Sequence, residues 1–155
     1  MTVMINNVQE KHILHSSLED NLQKLVGYLL HAEGISSHVE ISIVLVDNKY
    51  IAGLNESYRC KKEATDVLSF NLQDELPGVE KEKHDQVLGD VFISVEKAFE
   101  QAGEAKKTLE EEILFLTAHG VLHLMGYEHE SPQGEEEMQR KKEYALAYLK
   151  QGRKR

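Results

Sequence analysis

The chain has 155 residues, of which 41% are hydrophobic and 29% are charged, and its formal net charge is −9. This composition excludes a disordered chain and predicts one globular domain that spans residues 1–155. The longest uncharged run, Ile113 to Tyr127, is too short and too polar to cross a membrane. A single cysteine, Cys60, excludes an internal disulfide, and no secretory signal is visible, so we expect a cytoplasmic protein.

Residue patterns in the first half of the chain predict two helices and two strands. Leu18 to His31 repeats apolar residues at helical spacing, and Val39 to Val46 alternates β-branched residues as a half-buried strand does. Asp47 or Asn48 can cap a short helix that follows this strand. Thr65 to Leu72 has the composition of a second strand.

The next segment predicts a loop, a strand and a helix. Gln73 to Gln86 is rich in charge and contains a Pro-Gly pair, which is typical of a surface loop. Val87 to Ser94 predicts a third strand, and the Ser94 hydroxyl can cap a helix that runs to about Ala102.

Two helices are predicted in the last third of the chain. Thr108 and Glu111 form a capping-box pattern, which starts a helix that Gly126 ends. Ile113 to Met125 has no Lys, Arg, Asp or Glu, so this helix should be buried nearly all round. A final amphipathic helix covers about Gln133 to Leu149, and the whole order of elements predicts an α+β domain with a small sheet.

The uncharged helix carries two of the eight histidines in the chain. His119 and His123 are four residues apart, so their side chains lie one turn apart on one face and can bind one cation. Gly126 lets the chain reverse, which allows His129 to return as a third ligand. Three histidines leave the fourth position of a tetrahedral Zn²⁺ to water, whose pKa falls to about 7. The alternative is three separate histidines with their own partners.

Metalloproteases also present two histidines at this spacing, within the pattern H-E-x-x-H. Here Gly120 follows the first histidine, so the usual general base of that chemistry is missing. We expect Gly120 and Gly126 to let backbone or substrate approach the ion closely. Glu128 and Glu130 flank the third histidine and can act as a base, although surface acids need no such role.

Three stretches of the chain resemble one family. HGVLHLMGYEH, which ends at His129, is similar to the H-G-x-L-H-L-x-G-Y-D-H signature of the YbeY family, bacterial metal-dependent endoribonucleases that mature ribosomal RNA. LNESYRCKKEATDVLSF, Leu54 to Phe70, resembles the L-N-x-x-Y-R-x-K-D-x-P-T-D-V-L-S-F block of that family. LGDVFIS, Leu88 to Ser94, resembles its L-G-D-I-x-I-S block. The three blocks occur in the order of the family.

The resemblance implies a zincin-like α+β fold, in which a small mixed β-sheet packs with about five helices. It also implies that His119, His123 and His129 are the three metal ligands and that Arg59 is an essential, catalytic residue. A guanidinium has a planar fork of donors that suits a phosphate. We expect one Zn²⁺ per chain, although a three-histidine site also accepts Ni²⁺ or Cu²⁺.

The function implied is a single-strand-directed endoribonuclease that acts in ribosomal RNA maturation, at the 3′ end of 16S RNA, and in ribosome quality control. Expected partners are ribosomal RNA and the ribosome or small-subunit proteins, but neither DNA nor a membrane. The net charge opposes binding of a polyanion, whereas Arg59, Lys61 and Lys62 form a basic patch. The alternatives are a metalloprotease-like hydrolase and a non-catalytic ribosome-assembly factor with a structural metal.

The chain departs from the family pattern at three positions. Lys62 stands where the second block has Asp, Ala64 replaces its Pro, and Glu128 replaces the Asp that precedes the third histidine. The first change makes the loop more basic, and the second loosens a turn. The third keeps the charge but lengthens the side chain. None of the three changes a proposed ligand.

Overall fold

A computed structural model of the chain describes residues 2–35, 39–59, 65–71, 87–127 and 130–153. Its four strands are β1 (Thr2–Asn7), β2 (Glu40–Val46), β3 (Val67–Asn71) and β4 (Val87–Ser94). In the same residues there are five helices, namely α1 (Leu18–Ala32), α2 (Asn48–Arg59), α3 (Val95–Ala105), α4 (Leu109–Leu124) and α5 (Pro132–Arg153). The predicted α+β class, with a small mixed sheet and about five helices, is confirmed.

The four strands form one sheet in the order β1-β2-β4-β3. The β1–β2 and β2–β4 pairs are parallel, whereas β3 runs antiparallel to β4 and forms an edge of the sheet. Parallel pairs need long crossover connections, and α1 supplies the connection from β1 to β2. The two inner strands, β2 and β4, alternate buried and half-buried residues along most of their length.

The sheet separates two apolar cores. On one face, Ile41, Ile43 and Leu45 of β2 pack with the apolar residues of α1 and α4. On the other face, Val46 and Leu68 pack with residues of α2 in a smaller cluster. Because successive side chains of a strand point to opposite faces, α2 and α4 lie on opposite sides of the sheet.

Most predicted elements are confirmed, and one strand was missed. The predicted strand at Val87 to Ser94 has the same limits as β4, and the Ser94 hydroxyl accepts a hydrogen bond from the backbone N–H of Lys97. The strand β1 was not predicted, although Val3 and Ile5 alternate toward the core as in a strand. The predicted loop at Gln73 to Gln86 lies outside the described residues.

Both predicted ends of α4 are confirmed. Thr108 and Glu111 exchange the two hydrogen bonds of a capping box. At the other end the N–H of Gly126 donates to the His123 carbonyl at 3.0 Å, and the N–H of Tyr127 donates to the Leu122 carbonyl at 3.1 Å. This bond pair, with Gly126 at a φ of 99°, is a Schellman motif. Among the described residues, no helix is long and apolar enough to cross a membrane.

Candidate metal centre

One stripe of α4 opens toward solvent. From Ile113 to Leu124 the helix is buried except at Phe115, His119 and His123, which are half-buried and follow one another at intervals of four residues. Residues at this spacing lie on one face of a helix. The prediction of a helix buried nearly all round is therefore confirmed, and the exception is the stripe that carries both histidines.

The two imidazoles of this stripe converge. Their Nε2 atoms are 3.0 Å apart, and their ring centroids are 4.6 Å apart. Two histidine nitrogens that bind one tetrahedral zinc at its usual bond length are separated by about 3.3 Å. The pair therefore fits a shared divalent ion with little movement. A single proton shared between the two Nε2 atoms is also compatible with this distance.

The third proposed ligand, His129, lies outside the described residues, and so does Glu128. Within the described part of the chain, no group of three or more His, Cys, Asp or Glu side chains converges as a metal site. Glu130, a candidate base in the sequence, is exposed to solvent. The structure thus brings together His119 and His123, and the assignment of His129 as a ligand stays a prediction.

A lysine from α5 contacts one histidine of the pair on the ring nitrogen that faces away from the other histidine. The Nζ atom of Lys142 is 3.2 Å from Nδ1 of His119 and 4.5 Å from the ring centroid of Phe115. Only 7% of Lys142 is exposed, and burial is the main reason that its pKa is lowered. No carboxylate among the described residues forms an ion pair with it. Lys142 is therefore a buried amino group in direct contact with a proposed metal ligand.

The contact of Lys142 with His119 has a consequence for metal binding. An ammonium group has donors only, so a hydrogen bond from Lys142 requires an acceptor lone pair on Nδ1. A neutral histidine that binds a metal through Nε2 instead carries its proton on Nδ1. The charged lysine and an ion at Nε2 therefore favour opposite tautomers of His119.

Gly120 has a different role from the one expected. A Cβ atom on Gly120 would lie 2.6 Å from Cγ1 of Val91 and 3.0 Å from Oγ of Ser69, so this glycine faces the sheet. The Ser69 hydroxyl donates to the Gly120 carbonyl at 3.1 Å. The expectation that Gly120 admits a ligand was wrong, because the missing side chain allows the close approach of α4 to β3 and β4.

Arg59 closes α2, and α2 lies on the face of the sheet opposite to α4. The edge strand β3 contacts both helices, since the ring of Phe70 lies 5.2 Å from that of Tyr58 near the end of α2 and the Ser69 hydroxyl bonds α4. The side chain of Arg59 is outside the described part of the structure, as are Lys61, Lys62 and Ala64. The catalytic assignment of Arg59 therefore stays a prediction.

Lys142 was missed in the sequence, although a signal for it exists. The buried residues of α5 are Met138, Lys142, Ala145 and Leu149, which follow a helical repeat. A lysine at an apolar position of such a repeat indicates a buried cation with a specific neighbour. The identity of that neighbour depends on the packing of α4 against α5, and the repeat does not show it.

The fold is similar to that of a solved protein. TM1509 from Thermotoga maritima superimposes with a TM-score of 0.64 over 96% of this chain and 89% of its own, at 27% sequence identity. The fold thus places this chain among α+β proteins that resemble TM1509. Its own distinguishing feature is the pair of converging histidines on a buried helix.

The family follows from the sequence comparisons. The family model described as Endoribonuclease YbeY matches residues 4–150. Proteins named Endoribonuclease YbeY from Pelotomaculum thermopropionicum and Desulforamulus reducens are 44% and 40% identical over 154 and 153 residues, which is 96% of this chain and 97% of each relative. The relative from Carboxydothermus hydrogenoformans is 44% identical over 94% of this chain and 95% of its own. The chain belongs to the Endoribonuclease YbeY family, as its motifs predicted.

Proposed function

We propose that the protein is a metal-dependent endoribonuclease that cuts single-stranded RNA during ribosomal RNA maturation, at the 3′ end of 16S RNA, and in ribosome quality control. Its family membership supports the endoribonuclease activity. The main support for metal dependence is that the Nε2 atoms of His119 and His123 lie 3.0 Å apart. Residues 1–155 act as one domain in this proposal.

His119, His123 and His129 hold one divalent ion in the proposed site, with Zn²⁺ as the first candidate and Ni²⁺ or Cu²⁺ as others. Such an ion supplies a Lewis acid and an activated water at neutral pH. The protein contributes two ligands on a helix that is buried on its other faces, so packing fixes the backbone that carries them. The half-buried position of both rings leaves one side of the site open to a substrate.

Arg59 binds the phosphate of the substrate in this proposal. A guanidinium donates a planar pair of hydrogen bonds to phosphate oxygens and stabilises charge that develops during cleavage. Because α2 and α4 lie on opposite faces of the sheet, an RNA that contacts both the end of α2 and the histidines has to pass around the edge strand β3. Lys61 and Lys62 follow Arg59 in sequence and add attraction for the RNA backbone.

The charge of the molecule supports a role for a partner in the recognition of RNA. A net charge of −9 repels free RNA at long range, so the basic patch alone gives weak affinity. We therefore infer that the ribosome or a small-subunit protein supplies much of the recognition of the RNA substrate. We also propose that the protein acts in the cytoplasm, where ribosomal RNA is processed in bacteria.

The metal dependence is tested with purified protein, a single-stranded RNA oligonucleotide and casein as substrates. We expect the metal-loaded protein to cleave RNA and not casein, and His123→Ala to reduce RNA cleavage by more than about 100-fold. A metal-free preparation, verified by elemental analysis, should be as inactive as the variant. Equal RNA cleavage by metal-free and loaded protein would contradict the proposal, and cleavage of casein alone would establish a protease instead.

The role of Arg59 is tested on precursor ribosomal RNA with mapped cleavage ends. We expect Arg59→Glu to slow cleavage by about 10²- to 10³-fold, the scale for loss of one donor to a developing charge. Arg140→Glu, on the exposed side of α5, makes the same charge change and should leave the rate unchanged. A non-catalytic assembly factor with a structural metal predicts the opposite pattern, in which Arg59→Glu leaves RNA processing in the cell intact while His119→Ala unfolds the protein.

A further inference from the structure

Two exposed tyrosines line one cleft on the outer side of α2. Tyr50 is 48% exposed and Tyr58 is 64% exposed. Because they are eight residues apart on a helix, their Cα atoms are separated by about 12 Å along its axis. The cleft has a volume of about 620 Å³, which is within the range of ligand sites. We call these two residues, together with Gly53, Leu54 and Ser57 between them, the tyrosine cleft.

Each tyrosine ring lies against a phenylalanine of the sheet. The ring centroid of Tyr50 is 6.2 Å from that of Phe92 on β4, and the ring planes are at 24°. The ring centroid of Tyr58 is 5.2 Å from that of Phe70 on β3, in an edge-to-face contact. Phe70 and Phe92 contact each other with centroids 5.7 Å apart, and both pack on the smaller apolar core. The four rings therefore form a continuous row supported by the core, so little freedom is lost when a ligand binds.

A glycine lies between the two tyrosines. Gly53 is exposed in the interior of α2, where a glycine destabilises the helix relative to alanine. Internal packing does not explain it, since a Cβ at this position would meet no atom of the described residues within 4 Å. The missing side chain instead leaves the tyrosine cleft open at its centre. A glycine in this setting is typical of a place where a ligand approaches the backbone closely.

The charges of the cleft favour stacking over attraction to phosphate. Lys49 and Asp47 are both at the cleft, and the described residues that line it have no net charge. Oδ1 of Asp47 already accepts a hydrogen bond from the backbone N–H of Tyr50 at 2.8 Å. A polyanionic backbone therefore gains little here. Exposed aromatic rings, in contrast, can stack on any unpaired base, because every base has a π face.

We propose that the tyrosine cleft binds unpaired bases of the RNA substrate, which stack on Tyr50 and Tyr58. This inference rests on the proposed function, a nuclease for single-stranded RNA. Phe70 extends the row of rings to the edge strand β3, where the neighbouring Ser69 bonds the Gly120 carbonyl of α4. The cleft thus adjoins the edge that an RNA has to pass to reach the histidines. Since a duplex hides the faces of its bases, the cleft supplies a preference for single strands.

The test measures binding of a fluorescent single-stranded RNA oligonucleotide by anisotropy, with His123→Ala as the parent protein so that the RNA stays intact. We expect Tyr58→Ala to bind about 5- to 150-fold more weakly than this parent, the range for loss of one stacked base, and Tyr58→Phe to bind like it. Tyr144→Ala is the matched control. It removes a ring that is 61% exposed on α5 and should leave the affinity unchanged.

Two further measurements separate stacking from phosphate contacts and from unfolding. Tyr58→Ala should leave the salt dependence of binding unchanged, because no phosphate contact is lost, and an oligonucleotide without bases should bind it and the parent equally. Gly53→Leu places a good helix former in the cleft. It should raise the unfolding temperature and yet weaken RNA binding by about 5-fold or more, so that a damaged fold is not the cause.

Unchanged RNA affinity in both Tyr58→Ala and Gly53→Leu would overturn the inference, and a protein partner would then be the better occupant of the cleft. This failure is distinguishable from failure of the proposed function. If the metal-loaded wild type cleaves single-stranded RNA and Tyr58→Ala binds and cleaves it equally well, only the role of the cleft is wrong. If the wild type neither binds nor cleaves RNA, the proposed function is wrong, and the role of the cleft is overturned with it.

Discussion

Lys142 occupies a position that an apolar side chain would ordinarily hold on α5. It is 7% exposed, and the described part of the chain offers it the Nδ1 atom of His119 and the ring of Phe115 as neighbours. A buried ammonium group with so few acceptors is unfavourable. Its charge also repels a divalent ion at Nε2 of the same histidine. We therefore expect Lys142 to weaken the binding of a metal at the proposed site.

This reasoning predicts that Lys142→Gln increases metal affinity. The amide oxygen can accept the Nδ1 proton that a metal-bound His119 carries, and the substitution removes a nearby positive charge. We expect Zn²⁺ to bind about 10-fold more tightly, measured by chelator competition at constant pH. Lys150→Gln, an exposed change on the same helix, serves as the control. Unchanged or weaker binding in Lys142→Gln would show that the lysine does not oppose the metal.

At the same residue scale, the sequence motif predicted the contacting pair but not its surroundings. His119 and His123 are four apart, and helical geometry alone brings them together. Lys142 is 23 residues from His119, and Glu33 is 94 residues from Tyr127, from whose hydroxyl it accepts a hydrogen bond. Their contacts depend on how α1, α4 and α5 pack, which no local spacing specifies.

At the scale of elements, the approach of α4 to the sheet depends on a glycine. A Cβ at Gly120 would lie 2.6 Å from Cγ1 of Val91, a residue with no exposed surface, and 3.0 Å from Oγ of Ser69. Neither neighbour is the end of a long flexible side chain. The helix must therefore move away from the sheet if this position gains a side chain, and the Ser69 bond to the Gly120 carbonyl weakens.

We predict that Gly120→Ala destabilises the metal-free protein by about 1–3 kcal/mol, the usual cost of overpacking a core. This exceeds the helix-propensity gain of about 1 kcal/mol from replacing glycine. Gly103→Ala in α3 is the matched control, since a Cβ there meets no atom within 4 Å, and it should stabilise by about 0.5–1 kcal/mol. Urea unfolding measures both. Stabilisation by Gly120→Ala would disprove the close-packing role.

Element identities were more predictable from sequence than their arrangement. The capping box at Thr108, the Ser94 cap and the Gly126 stop are local signals, and the structure has all three. The strand β1 is short, ends in Asn6 and Asn7, and pairs in parallel with β2 across the whole of α1. Parallel pairing is non-local, so the pattern of the strand itself gives little indication of it.

At the scale of the whole molecule, charge poses a problem for an RNA enzyme. The net charge is −9, yet Arg59, Lys61 and Lys62 form a basic patch next to β3 in sequence. A local patch and the overall charge make different predictions for the dependence of RNA binding on salt. Each phosphate contact releases counterions, so the logarithm of affinity falls with the logarithm of salt concentration by about 0.7 per contact on single strands.

We predict that Lys61→Gln reduces this slope by about 0.7 for a single-stranded RNA oligonucleotide, because one phosphate contact is lost. Lys24→Gln removes the same charge from the molecule, but Lys24 lies on α1, 60% exposed and paired with Asp20 at 3.0 Å. It should leave the slope unchanged. Anisotropy titrations across a salt series measure the slope, in a His123→Ala background that prevents cleavage. Equal effects of the two substitutions would mean that RNA responds to the charge of the whole molecule, and the basic patch would then have no specific role.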